Sequence, residues 1–167
     1  TFNGFVPRKG GTGTCQVIAP YTTRDNCNRL SGFMGLLPYI DQAPLYNQVQ
    51  AGDATRPPGG PEGWAGWSTW DVVLPGYLCP SDNGATATPR SNSYLFCIGD
   101  SARNPRDSTV VRGVFGYRNS VKMSDISDGT SNTILMSEGV RMLGNGNQLI
   151  TTTAGQYRAI QHIIMNQ

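Results

Sequence analysis

Twenty-one glycines and eleven prolines are spread along this chain of 167 residues, and they limit the length of any regular element that it can form. Glycine loses more backbone entropy than other residues when it is ordered, and proline cannot donate a backbone hydrogen bond. The composition therefore favours turns over long helices. The chain is long enough for one compact core, so we expect a single domain over residues 1–167 that is dominated by loops and short strands.

The clearest helical pattern lies between residues 33 and 49. Apolar residues recur at helical spacing from Phe33 to Ile40, and Asp41 could cap a second turn that begins near Pro44. Leu45 and Val49 then share one face. The pattern predicts a short helix or a broken helix pair that packs on a sheet.

Strand-like runs separated by turn residues dominate the rest of the chain. Residues 51–63 contain many glycines and prolines and no aliphatic side chain larger than alanine, which indicates an exposed loop. Residues 15–19 form a short extended piece, and residues 157–164 favour a terminal helix over a strand. The predicted strands are residues 72–74, 94–98, 110–117, 133–137 and 149–153. We expect a loop-rich α+β fold, an antiparallel sheet with one or two short helices packed on it.

The charge pattern disfavours nucleic-acid binding, and the apolar runs are too short for a membrane span. Thirteen basic residues against eleven acidic ones leave a formal charge of +2, and no basic run could neutralise several adjacent phosphates. The longest apolar runs are short pieces such as residues 163–165, far below the length of a membrane span. We expect this chain to be soluble as written and to bind no nucleic acid.

Four cysteines suggest disulfides rather than a metal site. Cys15, Cys27, Cys79 and Cys97 include no C-x-x-C pair, and His162 is the only histidine that could join them as a ligand. Their spacing suggests local bridges from Cys15 to Cys27 and from Cys79 to Cys97, although three connectivities and four reduced thiols remain open. Oxidised cysteines would place the protein outside the cytosol.

Catalytic side chains are sparse. A nucleophilic triad would have to be built on His162 in the terminal segment, and the only glutamates are Glu62 and Glu138. The nine aspartates lie mostly in turn contexts, and no phosphate-binding loop, nucleophile elbow or zinc-protease motif occurs. We expect a protein that is not an enzyme and has no cofactor.

The three tryptophans, Trp64, Trp67 and Trp70, follow the Gly/Pro loop at intervals of three residues. Exposed indoles at this spacing could stack on sugar rings or on arginine side chains. They could equally cover the core or a subunit contact, where tryptophan is also enriched. Burial or an interface is the favoured interpretation.

Residues 125–132 concentrate oxygen-bearing side chains. Asp125, Asp128 and Asn132 could contribute to a calcium site, because calcium prefers hard oxygen ligands. The spacing does not match the twelve-residue EF-hand loop, however, and Asp-Gly followed by Ser and Asn is ordinary turn chemistry. The turn is the favoured interpretation.

Several motifs occur in an order that resembles the planctomycete-type prepilin-like proteins. They are GLLPYIDQ at 35–42, LY at 45–46, LCPSD at 78–82, SNSY at 91–94, GVF at 113–115, DISDGTSNTI at 125–134 and SE at 137–138. The resemblance implies a pilin-like globular head, a prepilin cleavage signal and an N-terminal hydrophobic helix that tethers the subunit or packs in a filament. That helix and the closing strand motifs of the family are missing here, so we expect a shortened chain.

The family's globular part has no known function and is also filed under a solute-binding heading. The resemblance therefore implies no catalytic residues. It predicts an extracytoplasmic structural subunit, in the periplasm or at the cell surface, that associates with itself through the missing helix and contacts a membrane only through it. The alternative is a carbohydrate- or small-solute-binding module that uses the three tryptophans on a glycan.

Overall fold

The structure, a computed structural model, describes residues 4–82, 89–100 and 107–139 and two short strands at 151–152 and 155–156. Its strands form three antiparallel pairs, and the predicted α+β class is confirmed. The sheet is not continuous, because each strand spans only two or three residues. The pairs are β1 (Lys9–Gly10) with β2 (Leu30–Ser31), β3 (Tyr94–Phe96) with β4 (Met136–Glu138), and β5 (Thr151–Thr152) with β6 (Gly155–Gln156).

The predicted broken helix pair is present. Helix α1 (Gly32–Leu36) continues into a 3-10 turn (Leu37–Ile40), and α2 (Ala43–Ala51) follows. Ser31 caps α1 by accepting a hydrogen bond from the Phe33 amide. The predicted cap at Asp41 is wrong, because Asp41 takes a left-handed conformation and its amide closes the 3-10 turn on Leu37.

Two apolar clusters form the core. The larger lies between the helix pair and residues 67–77, and the smaller joins Val6 to Val114 and Phe115. Phe96 on β3 connects them, since its ring stacks on Phe33 at 4.3 Å and contacts Phe115 at 4.4 Å. The helix pair therefore does pack on a sheet, through β3.

Two of the predicted strands do not form. Residues 72–74 are extended, but a 3-10 turn (Ser68–Trp70) precedes them and Pro75 follows, so they join no ladder. Within residues 110–117 only Tyr117 makes a bridge, to Lys9, because Gly113 packs against the Gly99 backbone too closely for a side chain. The strand predicted at 133–137 begins later, at Met136. The strand at 149–153 is present as Thr151–Thr152.

The N-terminal segment is fixed by a buried lysine. Lys9 is 1% exposed, its ammonium lies 2.6 Å from a carboxylate oxygen of Asp107, and it stands 5.0 Å from the centre of the Tyr117 ring. Burial of a charge is tolerated only when it is paired. Lys9 therefore ties β1 to Asp107 and Tyr117.

Among the described residues, the longest helix is the nine-residue α2, and no helix is long and apolar enough to cross a membrane. The predicted terminal helix at 157–164 and His162 lie outside the described residues.

Candidate interaction surface

A disulfide-closed loop organises the N-terminal third of the protein. Cys15 and Cys27 form a disulfide with a Cα–Cα distance of 4.3 Å, one of the two bridges expected from the sequence. The carboxylate of Asp25 accepts hydrogen bonds from the amides of Thr14, Cys15 and Cys27 at 2.8 to 3.1 Å. The loop is therefore held by its cross-link and by one buried acid.

Asn26 is fully buried beside this disulfide, and all of its side-chain hydrogen-bonding capacity is used. Its oxygen accepts from the amides of Thr12 and Asn28, and its nitrogen donates to Thr12 Oγ1 and to the Gly59 carbonyl. The Arg29 amide also donates to the Asn26 carbonyl. Asn26 thus fixes the segments around residues 12, 28 and 59 to one another.

The second predicted disulfide does not form, because Cys79 and Cys97 are free thiols. The Cys79 amide donates to Ser93 Oγ at 3.0 Å, which places Cys79 beside the start of β3. Cys97 follows the other end of β3, about 13 Å further along the extended chain. A disulfide requires Cα atoms within about 7 Å, so β3 itself separates the two thiols.

The three tryptophans do not form one platform. Trp67 and Trp70 are 8% and 1% exposed and pack edge to face in the larger core cluster, whereas Trp64 is 55% exposed. Gly60, at φ +77°, allows this packing, since a Cβ there would lie 2.4 Å from the Trp70 ring. The structure therefore buries two of the indoles and exposes the third, so the three do not line one surface.

Trp64 stands at the tip of residues 59–70, which we call the tryptophan loop, and two arginines clamp this tip. Arg56 donates to the Gly66 carbonyl at 2.7 Å, and Arg90 donates to the Gly63 carbonyl at 2.8 Å. Arg90 also holds Asp71 with two hydrogen bonds at 2.7 and 3.1 Å. These hydrogen bonds hold the backbone on both sides of the exposed indole in place.

A third arginine lies against the indole. The Arg29 Cζ is 5.5 Å from the centre of the Trp64 ring. Apart from this contact, the Arg29 guanidinium makes no ion pair or hydrogen bond with the residues for which the structure gives positions. Sequence reasoning missed all three arginines, because they come from separate segments and no local motif marks them.

Asp53 anchors the segment that precedes the tryptophan loop to Trp67. The Asp53 carboxylate accepts from the Thr55 amide, the Thr55 hydroxyl and the Arg56 amide, and its other oxygen accepts from Trp67 Nε1 at 2.8 Å. These bonds, the Thr55 amide foremost, lower the pKa of Asp53 below its usual value. The ionised carboxylate is therefore the form that holds the loop.

We expect the stabilising effect of Asp53 to disappear in acid. Because its folded pKa is depressed, its contribution is fully present above the unfolded pKa of about 3.9 and is lost as pH falls through the lower folded pKa. Melting temperatures of the wild type and Asp53→Asn should differ at pH 6 and converge toward pH 2. A constant difference over that range would show that the charge of Asp53 contributes nothing.

An apolar groove of about 270 Å³ lies on another part of the surface. Phe5, Phe96 and Phe115 line it, and its rim carries Tyr39, which is 72% exposed, and Met136, which is 38% exposed. Gly4 and Val6 lie beside Phe5 in the lining, so the N-terminal segment forms part of the groove. Large apolar side chains around a concave surface are typical of association sites.

Strand β4 borders this groove with an exposed edge. The bonds from Cys97 N to the Leu135 carbonyl and from Gly139 N to the Ser93 carbonyl direct residues 135, 137 and 139 toward β3. Met136 and Glu138 therefore direct their backbone groups away from β3. No residue in the described ranges bonds to this outer edge, and all three residues of β4 are exposed.

A second cleft of about 270 Å³ lies between β1, the helix pair and Gly59. Backbone of several glycines forms much of its lining, and its polar side chains, Thr12, Ser31, Tyr46 and Gln50, are all uncharged. Asn26 fixes two of its walls through Thr12 and Gly59. Such a lining suits only a small uncharged group.

The candidate calcium residues are engaged in turns. Asp125 accepts from the Lys122 amide at 3.0 Å, and Asn132 Nδ2 donates to the Asp128 carbonyl at 3.0 Å. Within the described ranges, no three histidine, cysteine, aspartate or glutamate side chains come together as metal ligands. Glu62 lies in the tryptophan loop and Glu138 ends β4, so the two glutamates occupy different elements.

Comparison with known proteins gives one match. A family model named SBP_bac_10, described as a protein of unknown function (DUF1559), matches residues 6–159, nearly the whole chain. No curated protein and no solved structure matches the chain.

Proposed function

Because the chain belongs to the DUF1559 family of unknown function, we propose a function from its surface: it is a non-enzymatic, extracytoplasmic structural subunit that assembles with copies of itself, like a pilin or pseudopilin head. The observation that carries the proposal is the apolar groove, with Tyr39 and Met136 exposed on its rim. Side chains of this size are each stabilised by about 1.5 to 3 kcal/mol when they are fully buried. Association through the groove supplies that burial.

An apolar helix is the first element that we propose to fill the groove. The resemblance to prepilin-like proteins implies such a helix ahead of the globular head. Since Gly4 and Phe5 line the groove, we propose that a helix ahead of the globular head packs against this surface. In an assembly, the apolar helix of one subunit then packs in the grooves of neighbouring subunits.

The exposed edge of β4 adds a directional contact. The outward backbone groups of Met136 and Glu138 can pair with an extended segment of a second copy. Backbone pairing fixes orientation, while the apolar groove supplies affinity. The two features are adjacent because Met136 belongs to both.

The proposed location outside the cytoplasm rests on the disulfide. The Cys15–Cys27 bridge closes a loop whose cross-linking stabilises the folded state by roughly 3 kcal/mol in the chain-entropy model, and such bridges persist in oxidising compartments. This is compatible with an extracellular or periplasmic subunit.

The proposal is tested on the natural full-length protein with charged substitutions in the groove. We expect Tyr39→Asp and Met136→Asp to weaken self-association by roughly tenfold or more, because a carboxylate in an apolar contact loses its hydration. Val110→Asp is the matched control, since Val110 is apolar, 85% exposed and outside the groove. Sedimentation velocity gives the association constants, and electron microscopy shows whether filaments form.

Circular dichroism confirms that each variant is folded. Equal association by Tyr39→Asp, Met136→Asp and Val110→Asp would overturn the role of the groove. A wild-type protein that remains monomeric and forms no filaments would overturn the assembly function itself.

A further inference from the structure

The largest exposed apolar side chain that the proposed assembly does not use, among the described residues, is the Trp64 indole. It is 55% exposed, and its neighbours along the chain are Gly63, Ala65 and Gly66, which offer no large apolar side chain. A protein interface surrounds its central aromatic residue with other apolar side chains. A single ring in small, polar surroundings suits a ligand with one apolar face and a polar rim, which is the shape of a pyranose sugar.

The indole is also held in place before any ligand arrives. The Arg56 and Arg90 guanidinium groups bind the carbonyls of Gly66 and Gly63, and the Ala65 amide donates to the Glu62 carbonyl at 2.9 Å. A residue that is already ordered loses little entropy on binding, so this arrangement favours affinity. A solvent-exposed indole with no ligand gains nothing from such rigidity.

Arg29 gives the site its charge. Of the three arginines around the loop, Arg56 and Arg90 are engaged with backbone carbonyls, whereas the Arg29 guanidinium has no hydrogen bond or ion pair with the described residues and lies against the indole. The Arg29 backbone is itself fixed, because its amide donates to the buried Asn26 and Cys27 is in the disulfide. A guanidinium with open donors is the side chain best suited to a carboxylate.

We infer that Trp64 and Arg29 form a binding site for an acidic polysaccharide, in which one hexuronate unit stacks on the indole and its carboxylate pairs with the guanidinium. The Arg29 guanidinium lies over the Trp64 ring, with its Cζ 5.5 Å from the ring centre, so a sugar that stacks on the part of the indole left exposed brings its carboxylate toward the guanidinium. One cation beside one aromatic ring matches one carboxylate per sugar. The near-neutral chain, at +2 and without a basic run, does not favour phosphate polymers. The inference is independent of the proposed assembly.

The test compares a galacturonate oligomer with its methyl ester, which has the same sugar chain but carries an uncharged methyl ester in place of each carboxylate, and uses the wild-type protein. We expect the acid to bind with a Kd of roughly millimolar or tighter, and the ester to bind at least about fivefold more weakly because it loses the ion pair. Titration calorimetry gives the affinities. Fluorescence quenching by acrylamide reports on the indole directly, since a stacked sugar protects Trp64 while Trp67 and Trp70 are already buried.

Substitutions of Trp64 and of Arg29 test the stacking and the ion pair separately. Trp64→Ala should weaken binding of both probes by roughly tenfold, and Arg29→Gln should weaken the acid to the level of the ester. Arg24→Gln is the matched control, because Arg24 is exposed on the neighbouring segment and the substitution removes the same charge. It should bind like the wild type apart from a small effect of net charge.

Four results would overturn the inference. The first is equal binding of acid and ester by the wild type, and the second is equal loss in Arg24→Gln and Arg29→Gln, which would indicate nonspecific attraction. The third is the absence of binding to either probe. Lower stability of Trp64→Ala and Arg29→Gln would then show that the pair is only a contact between two loops. Competition by polyphosphate as strong as by the acid would also exclude recognition of a sugar.

Discussion

We expect Trp70→Ala to lower the free energy of unfolding by about 3 to 5 kcal/mol, and Trp64→Ala to lower it by no more than about 1 kcal/mol. Trp70 is 1% exposed and packs against Trp67 and the helix pair, so its removal leaves a large cavity in the core. Trp64 loses only its contact with Arg29. Trp64 and Trp70 are each three residues from Trp67 in the sequence, so only their structural environments account for the expected difference in stability.

Urea unfolding followed by far-ultraviolet circular dichroism measures this difference without relying on tryptophan fluorescence. Trp70→Phe should cost less than Trp70→Ala, because it keeps a ring and removes an indole N–H that is buried without a partner in the described structure. Similar losses in Trp64→Ala and Trp70→Ala would contradict the division of the tryptophans into one exposed and two buried residues.

The helix pair was predictable because its signals are local. Apolar spacing defines the buried face, and Pro38 and Pro44 limit where α1 can continue and α2 can begin. The wrong prediction at Asp41 shows the limit of such signals. Aspartate is a good capping residue, but Asp41 takes a left-handed conformation that ends the 3-10 turn, so it does not cap α2.

Strand pairing and the second disulfide depend on long-range geometry that a local pattern does not contain. Residues 110–117 have strand-forming side chains, yet the approach of Gly113 to Gly99 replaces a ladder with a close backbone contact. Cys79 and Cys97 are well spaced along the chain, but β3 lies between them. In both cases the tertiary contact overrides the local preference.

The candidate surface was predictable only in part. The sequence favoured burial or an interface for the three tryptophans together and did not separate Trp64 from Trp67 and Trp70, because the difference depends on Gly60, which packs on the buried rings. Arg29, Arg56 and Arg90 are distant from one another in sequence, and nothing in their local context distinguishes the two structural arginines from the open one. Their roles follow from the hydrogen bonds alone.

Asn26 is the second position at which a single substitution should have a large effect. We expect Asn26→Ala to lower the free energy of unfolding by about 3 kcal/mol, because it leaves the Thr12 and Asn28 amides and the Gly59 carbonyl without their partner in a buried site. Asn47→Ala, on the exposed face of α2, is the control and should be close to neutral.

Asn26→Asp separates hydrogen bonding from packing at the same position. The aspartate keeps the oxygen that accepts from Thr12 and Asn28, but its second oxygen replaces the nitrogen that donates to the Gly59 carbonyl. Burial raises the pKa of such a carboxyl, so the folded protein retains the proton longer than the unfolded chain. The penalty should therefore be smallest near pH 4 and should grow as pH rises through the folded pKa. Urea unfolding at pH 4 and pH 7 measures it, and a penalty that is equal at both values would show that position 26 is hydrated rather than buried.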